Sequence, residues 1–114
     1  YEAAAGHILS TACGGHSLGG TRKYFLGNKK NFGTPLESRW MGEVCKGASG
    51  IRFDKATEII EYLLEKYEPF LQNAPEGEPI EYLYDMDSMK PKKKYQKLYD
   101  EVKEELFKLG VNFK

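Results

Sequence analysis

The residue types best suited to chemistry lie together in the stretch CGGHSLGGTRK, which runs from Cys13 to Lys23. Cys13 and His16 have the spacing of a metal-ligand pair, and His7 lies one and a half helical turns earlier. Zinc requires four protein ligands, or three and a water molecule. Because the other cysteine, Cys45, belongs to a helical stripe, the sequence predicts no metal site, and both cysteines are expected to be small buried apolar residues.

Two other kinds of site fit this stretch poorly. A phosphate-binding loop usually follows a strand and aims successive backbone N–H groups at one point, whereas these glycines follow a helix. Ser17 or Cys13 beside His16 could act as a nucleophile and base, but no G-x-S-x-G turn is present. We therefore expect the glycines to form a tight turn, and the sequence predicts no catalytic or cofactor-binding residue.

The composition is typical of one globular domain at most. The chain has 114 residues, of which 40% are hydrophobic and 30% charged. Lys plus Arg and Asp plus Glu both number 17, so no net charge favours nucleic acid or an anionic membrane as a partner. No apolar run approaches the roughly 20 residues that a membrane helix needs. Two cysteines are too few for a disulfide scaffold, which predicts a cytoplasmic location.

Hydrophobic periodicity predicts four helices, at about residues 1–12, 35–47, 54–68 and 91–109. Residues 72–90 are expected to be a long loop packed along the surface, in which DMDS lacks the glycine and distal glutamate of a calcium loop. The short stretches HSL and KYFL each fit a single strand.

Local signals mark the ends of the helices. Thr34 is a candidate N-cap, Pro35 follows at the first helical position, and Glu37 completes a capping box. Asp54 is the predicted N-cap of the third helix, and Pro69 is expected to end it. Gly47 and Gly50 are predicted to end the second helix. Pro91 is predicted to begin the last helix and Gly110 to end it.

Each helix has an apolar stripe, and three of the helices can cover each other, whereas the first lacks an evident partner. The tail after Gly110 is expected to dock through its two apolar residues. The stripes and the tail comprise Ala4 or Ala5, Ile8 and Ala12; Leu36, Trp40 and Val44; Ala56, Ile59, Ile60, Leu63, Leu64 and Tyr67; Tyr95, Leu98, Tyr99, Val102, Leu106 and Leu109; and Val111 and Phe113.

The chain opens within a helical pattern. Ala3, Ala4 and Ala5 favour helix, and no capping residue precedes Tyr1. We therefore expect a preceding segment to be missing, with a processed N-terminus as the alternative.

Three collinear stretches resemble one known family. They are YEAAAGHILSTACGG with HSLGG, then LESRWMGEVCKGASGI, then YEPFLQNAPEGEPIEYLYDMDSMKPKKKYQKLYDEVKEELFKLG. Their order and spacing resemble the C-terminal region of the corrinoid-dependent monomethylamine methyltransferases of methylotrophic methanogens. The most specific parts are Glu37-x-Arg39-x-Met41-Gly42-Glu43-Val44, the pair around Tyr67 and Glu76, and the ending YDEVKEELFKLG.

The resemblance implies an enzyme with a (β/α)8 barrel that moves a methyl group from monomethylamine to the cobalt of a corrinoid protein. In the methanogen family a pyrrolysine in the barrel binds and activates the amine. Its position lies upstream of this chain, so no catalytic residue is carried over. The corrinoid is then held by the partner protein, and the implied partners are the remainder of the methyltransferase chain, the corrinoid protein and further copies.

The resemblance also implies a fold class, namely a mainly α fragment of a (β/α)8 barrel followed by a helical appendage. Residues 1–50 are the end of the barrel: residues 1–13 an outer helix, HSLGG the last strand, and the helix from Pro35 the closing one. Residues 51–114 are the appendage. His16, Thr21 and Arg22 then become candidates for lining the barrel mouth, where barrel active sites lie.

Between Gly14 and Asn31 the sequence departs from the best-known members of the family. His16, Arg22, Lys23 and the Tyr24-Phe25 pair are the unexpected residues. A relative without pyrrolysine that uses another methyl donor therefore fits as well. The alternatives outside the family are a stand-alone helical protein-interaction module and a small Cys/His metal protein.

Overall fold

The computed structural model describes residues 1–15, 33–73 and 78–114. This part of the chain is mainly helical, as the sequence predicts, whereas the strands predicted at HSL and KYFL lie outside the described residues. In chain order the elements are α1 (Glu2–Ala12), α2 (Pro35–Ala48), α3 (Phe53–Tyr67), a 3₁₀ segment (Glu68–Asn73), α4 (Ile80–Leu83), β1 (Tyr84–Asp85), β2 (Lys90–Pro91) and α5 (Lys93–Leu109).

Helix α1 packs against both α2 and α3. Ala4, Ala5 and Ile8 form its buried face. The alanines let the neighbouring helices approach closely, since their side chains end at Cβ. The expectation that the first helix lacks a partner is therefore wrong, because a face of such small side chains gives little sign of what it packs against.

The capping box at the start of α2 is confirmed. Thr34 adopts an extended N-cap conformation, and its backbone N–H donates to Glu37 Oε2 at 2.7 Å. Leu36, Trp40 and Val44 are all buried, so the predicted stripe of α2 forms part of the core.

Gly47 lies inside α2, and the helix continues to Ala48, so the predicted end at Gly47 is wrong. The C-terminal tail passes directly over Gly47 and leaves no room for a Cβ at this position. A Cβ built there would lie 2.7 Å from Val111 Cγ1 and 2.9 Å from the carbonyl oxygen of Asn112. Gly50, with φ +75°, supplies the left-handed residue after the helix.

Helix α3 begins at Phe53, with Arg52 as its N-cap. The prediction that Asp54 is the N-cap is wrong, because the Asp54 carboxylate accepts from the Arg52 guanidinium and from the backbone N–H of Lys55. The predicted end before Pro69 is confirmed, since α-helical geometry gives way to the 3₁₀ segment at Glu68.

The predicted long loop contains a short helix and a hairpin. Strands β1 and β2 pair antiparallel, with Tyr84 opposite Pro91 and Asp85 opposite Lys90. The Asp85 carboxylate accepts from the backbone N–H groups of Asp87 and Ser88, at 2.9 and 3.2 Å. These two bonds lower the pKa of Asp85 and explain the DMDS stretch as a turn. Pro91 therefore ends the hairpin, and α5 starts two residues later than predicted.

Helix α5 ends as predicted at Gly110, which adopts the left-handed conformation with φ +113°. Leu106 is fully buried, as is Val111 in the tail. Leu98 is 56% exposed, so its predicted place in the stripe is wrong. A single core draws residues from α1, α2, α3 and α5, and both predicted segments, 1–50 and 51–114, contribute to it.

None of the helices in the described ranges combines the length and the apolar character that crossing a membrane requires.

Replacing Gly47 with alanine should destabilise the chain, although alanine favours helix more than glycine. The new methyl group would collide with Val111 and Asn112, and we expect a loss of about 1–3 kcal/mol in the free energy of unfolding. Urea denaturation followed by circular dichroism measures this. Gly42→Ala is the matched control, because Gly42 is an exposed residue of α2 with no described atom near its Cβ position. This control should gain about 0.5–1 kcal/mol, and equal effects of the two substitutions would contradict the assignment.

Candidate functional site

The residues that the sequence singles out for chemistry are only partly described. His16, Thr21 and Arg22 lie outside the described residues. Cys13 is exposed, so the expectation that it is buried is wrong, while Cys45 is partly buried; neither forms a disulfide. Within residues 1–15, 33–73 and 78–114, no three His, Cys, Asp or Glu side chains come together as a metal site would require.

A polar cluster joins α2 to α5 around the carboxylate of Glu43. Tyr99 donates its hydroxyl to Glu43 Oε2 at 2.7 Å, and Lys103 Nζ lies 2.9 Å from the same oxygen. Arg39 Nε donates to Oε1 at 2.7 Å. These four residues, Arg39, Glu43, Tyr99 and Lys103, are called the Glu43 cluster below.

Helical spacing on both sides produces this arrangement. Arg39 and Glu43 are one turn apart on α2, and Tyr99 and Lys103 are one turn apart on α5. Residues separated by four positions lie on the same face of a helix. Where the two helices meet, each therefore presents a pair of groups, and Arg39, Tyr99 and Lys103 converge on the Glu43 carboxylate.

The electrostatics follow from these contacts. Burial alone would raise the pKa of Glu43, but the hydrogen bonds from Tyr99, Lys103 and Arg39 outweigh it and lower the pKa to about 2. Burial, followed by the hydrogen bond to the Glu43 carboxylate, raises the pKa of Tyr99. At neutral pH the cluster thus holds an ionised carboxylate and a neutral phenol.

Aromatic rings cover the Glu43 cluster on its core side. The ring of Trp40 meets that of Tyr99 edge to face, with centroids 5.4 Å apart, and stacks on Phe113 at 6.0 Å. Lys103 Nζ lies 5.3 Å from the centroid of the Phe113 ring. The C-terminal tail therefore shields the ion pair from one side, which strengthens it relative to a fully solvated pair.

A second set of bonds joins the start of α2 to the hairpin and α5. The Leu36 backbone N–H donates to the Tyr84 hydroxyl at 3.0 Å, and the hydroxyls of Thr34 and Tyr95 lie 3.0 Å apart. Burial raises the pKa of Tyr95 to about 12, opposed by the Thr34 bond and reinforced by Glu37. The first turn of α2 is thus capped by residues distant in sequence.

A second carboxylate, that of Glu105, joins α1, α3 and α5. It accepts from the Tyr1 hydroxyl at 2.8 Å and from the Tyr62 hydroxyl, and Lys66 Nζ lies 3.3 Å away. The Tyr62 bond is the main cause of the lowered pKa of Glu105.

These carboxylates are poorly suited to acid–base catalysis. A carboxylate that keeps its charge down to about pH 2, as Glu43 does, is a weak base, and a phenol with a raised pKa is a weak acid near neutrality. Each group is already bonded to the neighbouring helix. The described residues therefore support a structural role, in which the two carboxylates hold neighbouring helices together. The sequence did not reveal either carboxylate, because nothing local in it shows which charged residues face each other across helices.

Acid should weaken the contact between α2 and α5. A carboxyl whose pKa falls on folding, here from 4.5 to about 2, contributes stability that is present above pH 4.5 and lost as the pH falls towards 2. We expect Glu43→Gln to cost on the order of 2 kcal/mol of unfolding free energy at pH 6 and progressively less towards pH 3. Urea denaturation across this pH range measures the difference.

Glu101→Gln is the control for this acid series, because Glu101 is 60% exposed and its ion pair with Lys97, at 3.6 Å, lies in solvent. Its effect should stay below about 0.5 kcal/mol at every pH. A cost of Glu43→Gln that does not change with pH would contradict the role assigned to the charge.

Tyr99→Phe should remove one hydrogen bond and leave the aromatic packing on Trp40. We expect a loss of about 1–2 kcal/mol in unfolding free energy. Because Tyr99 and Glu43 act through the same bond, the losses in the double variant with Glu43→Gln should be less than additive. Tyr82→Phe, at a tyrosine that is 65% exposed, serves as the control, and strict additivity would argue against the bond.

The comparisons with known proteins point to one family. The family described as monomethylamine methyltransferase MtmB matches residues 1–111. Among curated proteins, monomethylamine methyltransferase MtmB1 of Methanosarcina acetivorans and MtmB1 of Methanosarcina barkeri are each 32% identical to the chain, and MtmB of Methanosarcina mazei is 31% identical. Each match covers 98% of this chain and 24% of the relative.

The chain thus spans about a quarter of the length of the curated relatives it matches. No solved structure matches it. The family match extends over nearly the whole chain and includes α1, α2, α3 and α5 together with the residues of the Glu43 cluster. The chain belongs to the monomethylamine methyltransferase MtmB family.

Proposed function

We propose that this chain is the C-terminal part of a methyltransferase that moves a methyl group from monomethylamine, or a related methyl donor, to a corrinoid protein. In this proposal the chain is structural and carries no complete active site. The observation that carries it is the family match over residues 1–111, together with relatives about four times as long.

The polar contacts support a structural role. The carboxylates of Glu43 and Glu105 are both engaged in joining helices, and their hydroxyl partners are tyrosines of the core edge. A substrate amine would have to displace Lys103 or Lys66 to reach them. The catalytic groups are therefore expected in the rest of the longer polypeptide.

The proposed placement follows the barrel of the family. In this placement residues 1–13 are an outer helix and α2 closes the ring, while HSLGG, the expected last strand, lies outside the described residues. Residues 51–114, with α3, the hairpin and α5, form the appendage. The packing of α1 on both α2 and α3 supports a close association of the barrel end with the appendage, and His16, Thr21 and Arg22 keep their proposed place at the mouth.

In this proposal the corrinoid is carried by the partner protein, and this part of the methyltransferase binds no cofactor directly.

One observation favours a second candidate, a stand-alone helical interaction module. Helices α1, α2, α3 and α5 share one core, so the chain has an interior of its own. In that case the 114 residues should unfold cooperatively without any further polypeptide.

The test uses the gene from which the chain derives, expressed with everything encoded in frame before Tyr1. The purified product is mixed with monomethylamine and a reduced corrinoid protein, and the absorbance of the corrinoid reports its methylation. We expect methylation with the longer polypeptide and none with the 114-residue chain, which lacks an active site. Dimethylamine and methanol, tested in parallel, identify the donor.

Failure of the longer polypeptide with every methyl donor would contradict the proposal. A reading frame that begins at Tyr1, combined with a cooperative and monomeric 114-residue chain, would favour the interaction module instead.

A further inference from the structure

The start of α2 is held by side chains from two other elements. Thr34, its N-cap, keeps only 4% of its surface exposed. The Thr34 hydroxyl lies 3.0 Å from that of Tyr95 in α5, and the Tyr95 hydroxyl also donates to Glu37 Oε1 at 3.4 Å. The Leu36 backbone N–H donates to the hydroxyl of Tyr84 in β1 at 3.0 Å. The partners lie 48 to 61 positions apart in the sequence, so the start of α2 is fixed from outside its own helix.

The first turn of α2 does not need Tyr95 in order to form. The Thr34 side chain accepts from the backbone N–H of Glu37, and the Glu37 carboxylate accepts from the backbone N–H of Thr34. Water can satisfy the remaining N–H groups of a helix start. The N-caps of α1, α3 and α5 make no side-chain cap hydrogen bond, yet these helices are formed. The contact with Tyr95 therefore fixes where the start of α2 lies relative to α5.

The two tyrosines are themselves held in place. Tyr84 is 3% exposed, and its ring meets that of Tyr95 edge to face, with centroids 6.2 Å apart. The Lys92 backbone N–H donates to the carbonyl oxygen of Leu83 at 2.8 Å, which joins the hairpin to the start of α5. Side chains locked by packing and by further bonds hold their partners precisely. The hairpin and α5 thus act together as one support for the start of α2.

In the proposed barrel this support lies at the mouth. A (β/α)8 barrel carries its active site on the loops that lead from each strand to the next helix. If HSLGG is the last strand and α2 closes the ring, Thr34 is the last residue of the last such loop. The proposed mouth residues Thr21 and Arg22 belong to the same stretch of sequence, between that strand and α2. The position of Thr34 therefore sets where this loop ends.

We propose that Tyr84 and Tyr95 of the appendage are positioning residues for methyl transfer, because they fix the end of the last loop of the barrel mouth. The inference rests on the proposed function and gives the appendage a part in it. Neither tyrosine touches the methyl donor; each acts through the start of α2. A displacement of about 1 Å near a reacting centre can lower a rate about 100-fold, so the loss of one hydroxyl should change activity as well as stability.

Tyr95→Phe tests the role, because it removes the hydroxyl and leaves the capping box in place. The variant is made in the longer polypeptide, expressed with everything encoded in frame before Tyr1. The kcat/KM for the reduced corrinoid protein should fall at least about tenfold, and KM for that protein should rise, because it must approach the mouth. Loss of folded enzyme would instead lower kcat and leave KM unchanged. All assays are run well below the melting temperature of each variant, measured by circular dichroism.

Tyr99→Phe is the matched control. It also removes a tyrosine hydroxyl that joins α5 to α2, but one turn further along α5, at Glu43. It should lower the melting temperature at least as much as Tyr95→Phe does, because its bond is to a charged group, and it should keep kcat/KM within about twofold of the unsubstituted enzyme.

Substitutions at Thr34 give a second test should Tyr95→Phe fail to fold. Thr34→Ala should repeat the loss of activity, since it removes the hydroxyl that meets Tyr95. Thr34→Ser keeps that hydroxyl and should restore most of the activity that Thr34→Ala loses.

A loss smaller than tenfold in Tyr95→Phe, an equal loss in Tyr99→Phe, a lower kcat with unchanged KM, or equal activities of Thr34→Ala and Thr34→Ser would overturn the positioning role. Methyl transfer by the unsubstituted polypeptide would still uphold the proposed function in each of these cases. An inactive unsubstituted polypeptide would remove the proposed function and the positioning role together.

Discussion

The position of α5 depends on the hydrogen bonds and the ion pair that the Glu43 carboxylate makes with its neighbours. Helix α5 is rich in charge, and only Tyr99 and Leu106 are buried along it. Apolar burial alone therefore gives this helix few fixed points. The bonds from Tyr99 and Lys103 to one oxygen of Glu43, and from Arg39 to the other, define where α5 lies along α2. A hydrogen bond to a charged group makes a net contribution of about 1.5–3 kcal/mol to stability.

The carboxylate of Glu105, a residue of α5, repeats this arrangement at the contact with α3. In each case a tyrosine places its ring at the edge of the core and its hydroxyl on a carboxylate, while a lysine balances the charge. Tyrosine suits this task because it is apolar along its ring and polar at its tip. These two arrangements join α5 to its neighbours by paired polar groups, and every fully buried side-chain polar atom in the described part of the chain has a partner.

The sequence predicts those features of the fold that depend on near neighbours. The capping box at Thr34, the stripe of α2 and the left-handed Gly110 all follow from residues within one or two turns. The role of Gly47 does not, because the tail that covers it lies more than sixty positions away. The i, i+4 pairs of the Glu43 cluster are visible in the sequence, yet nothing local shows that they face each other. The barrel-mouth residues His16, Thr21 and Arg22 stay predictions.

Helix α1 shows why a fragment can have a core and still belong to something larger. Its alanine face is closed by α2 and α3, so the premise that this helix has no partner does not hold. A core to which helices of both predicted segments contribute keeps a stand-alone module physically possible, whereas the family match and the length of the relatives favour a longer polypeptide.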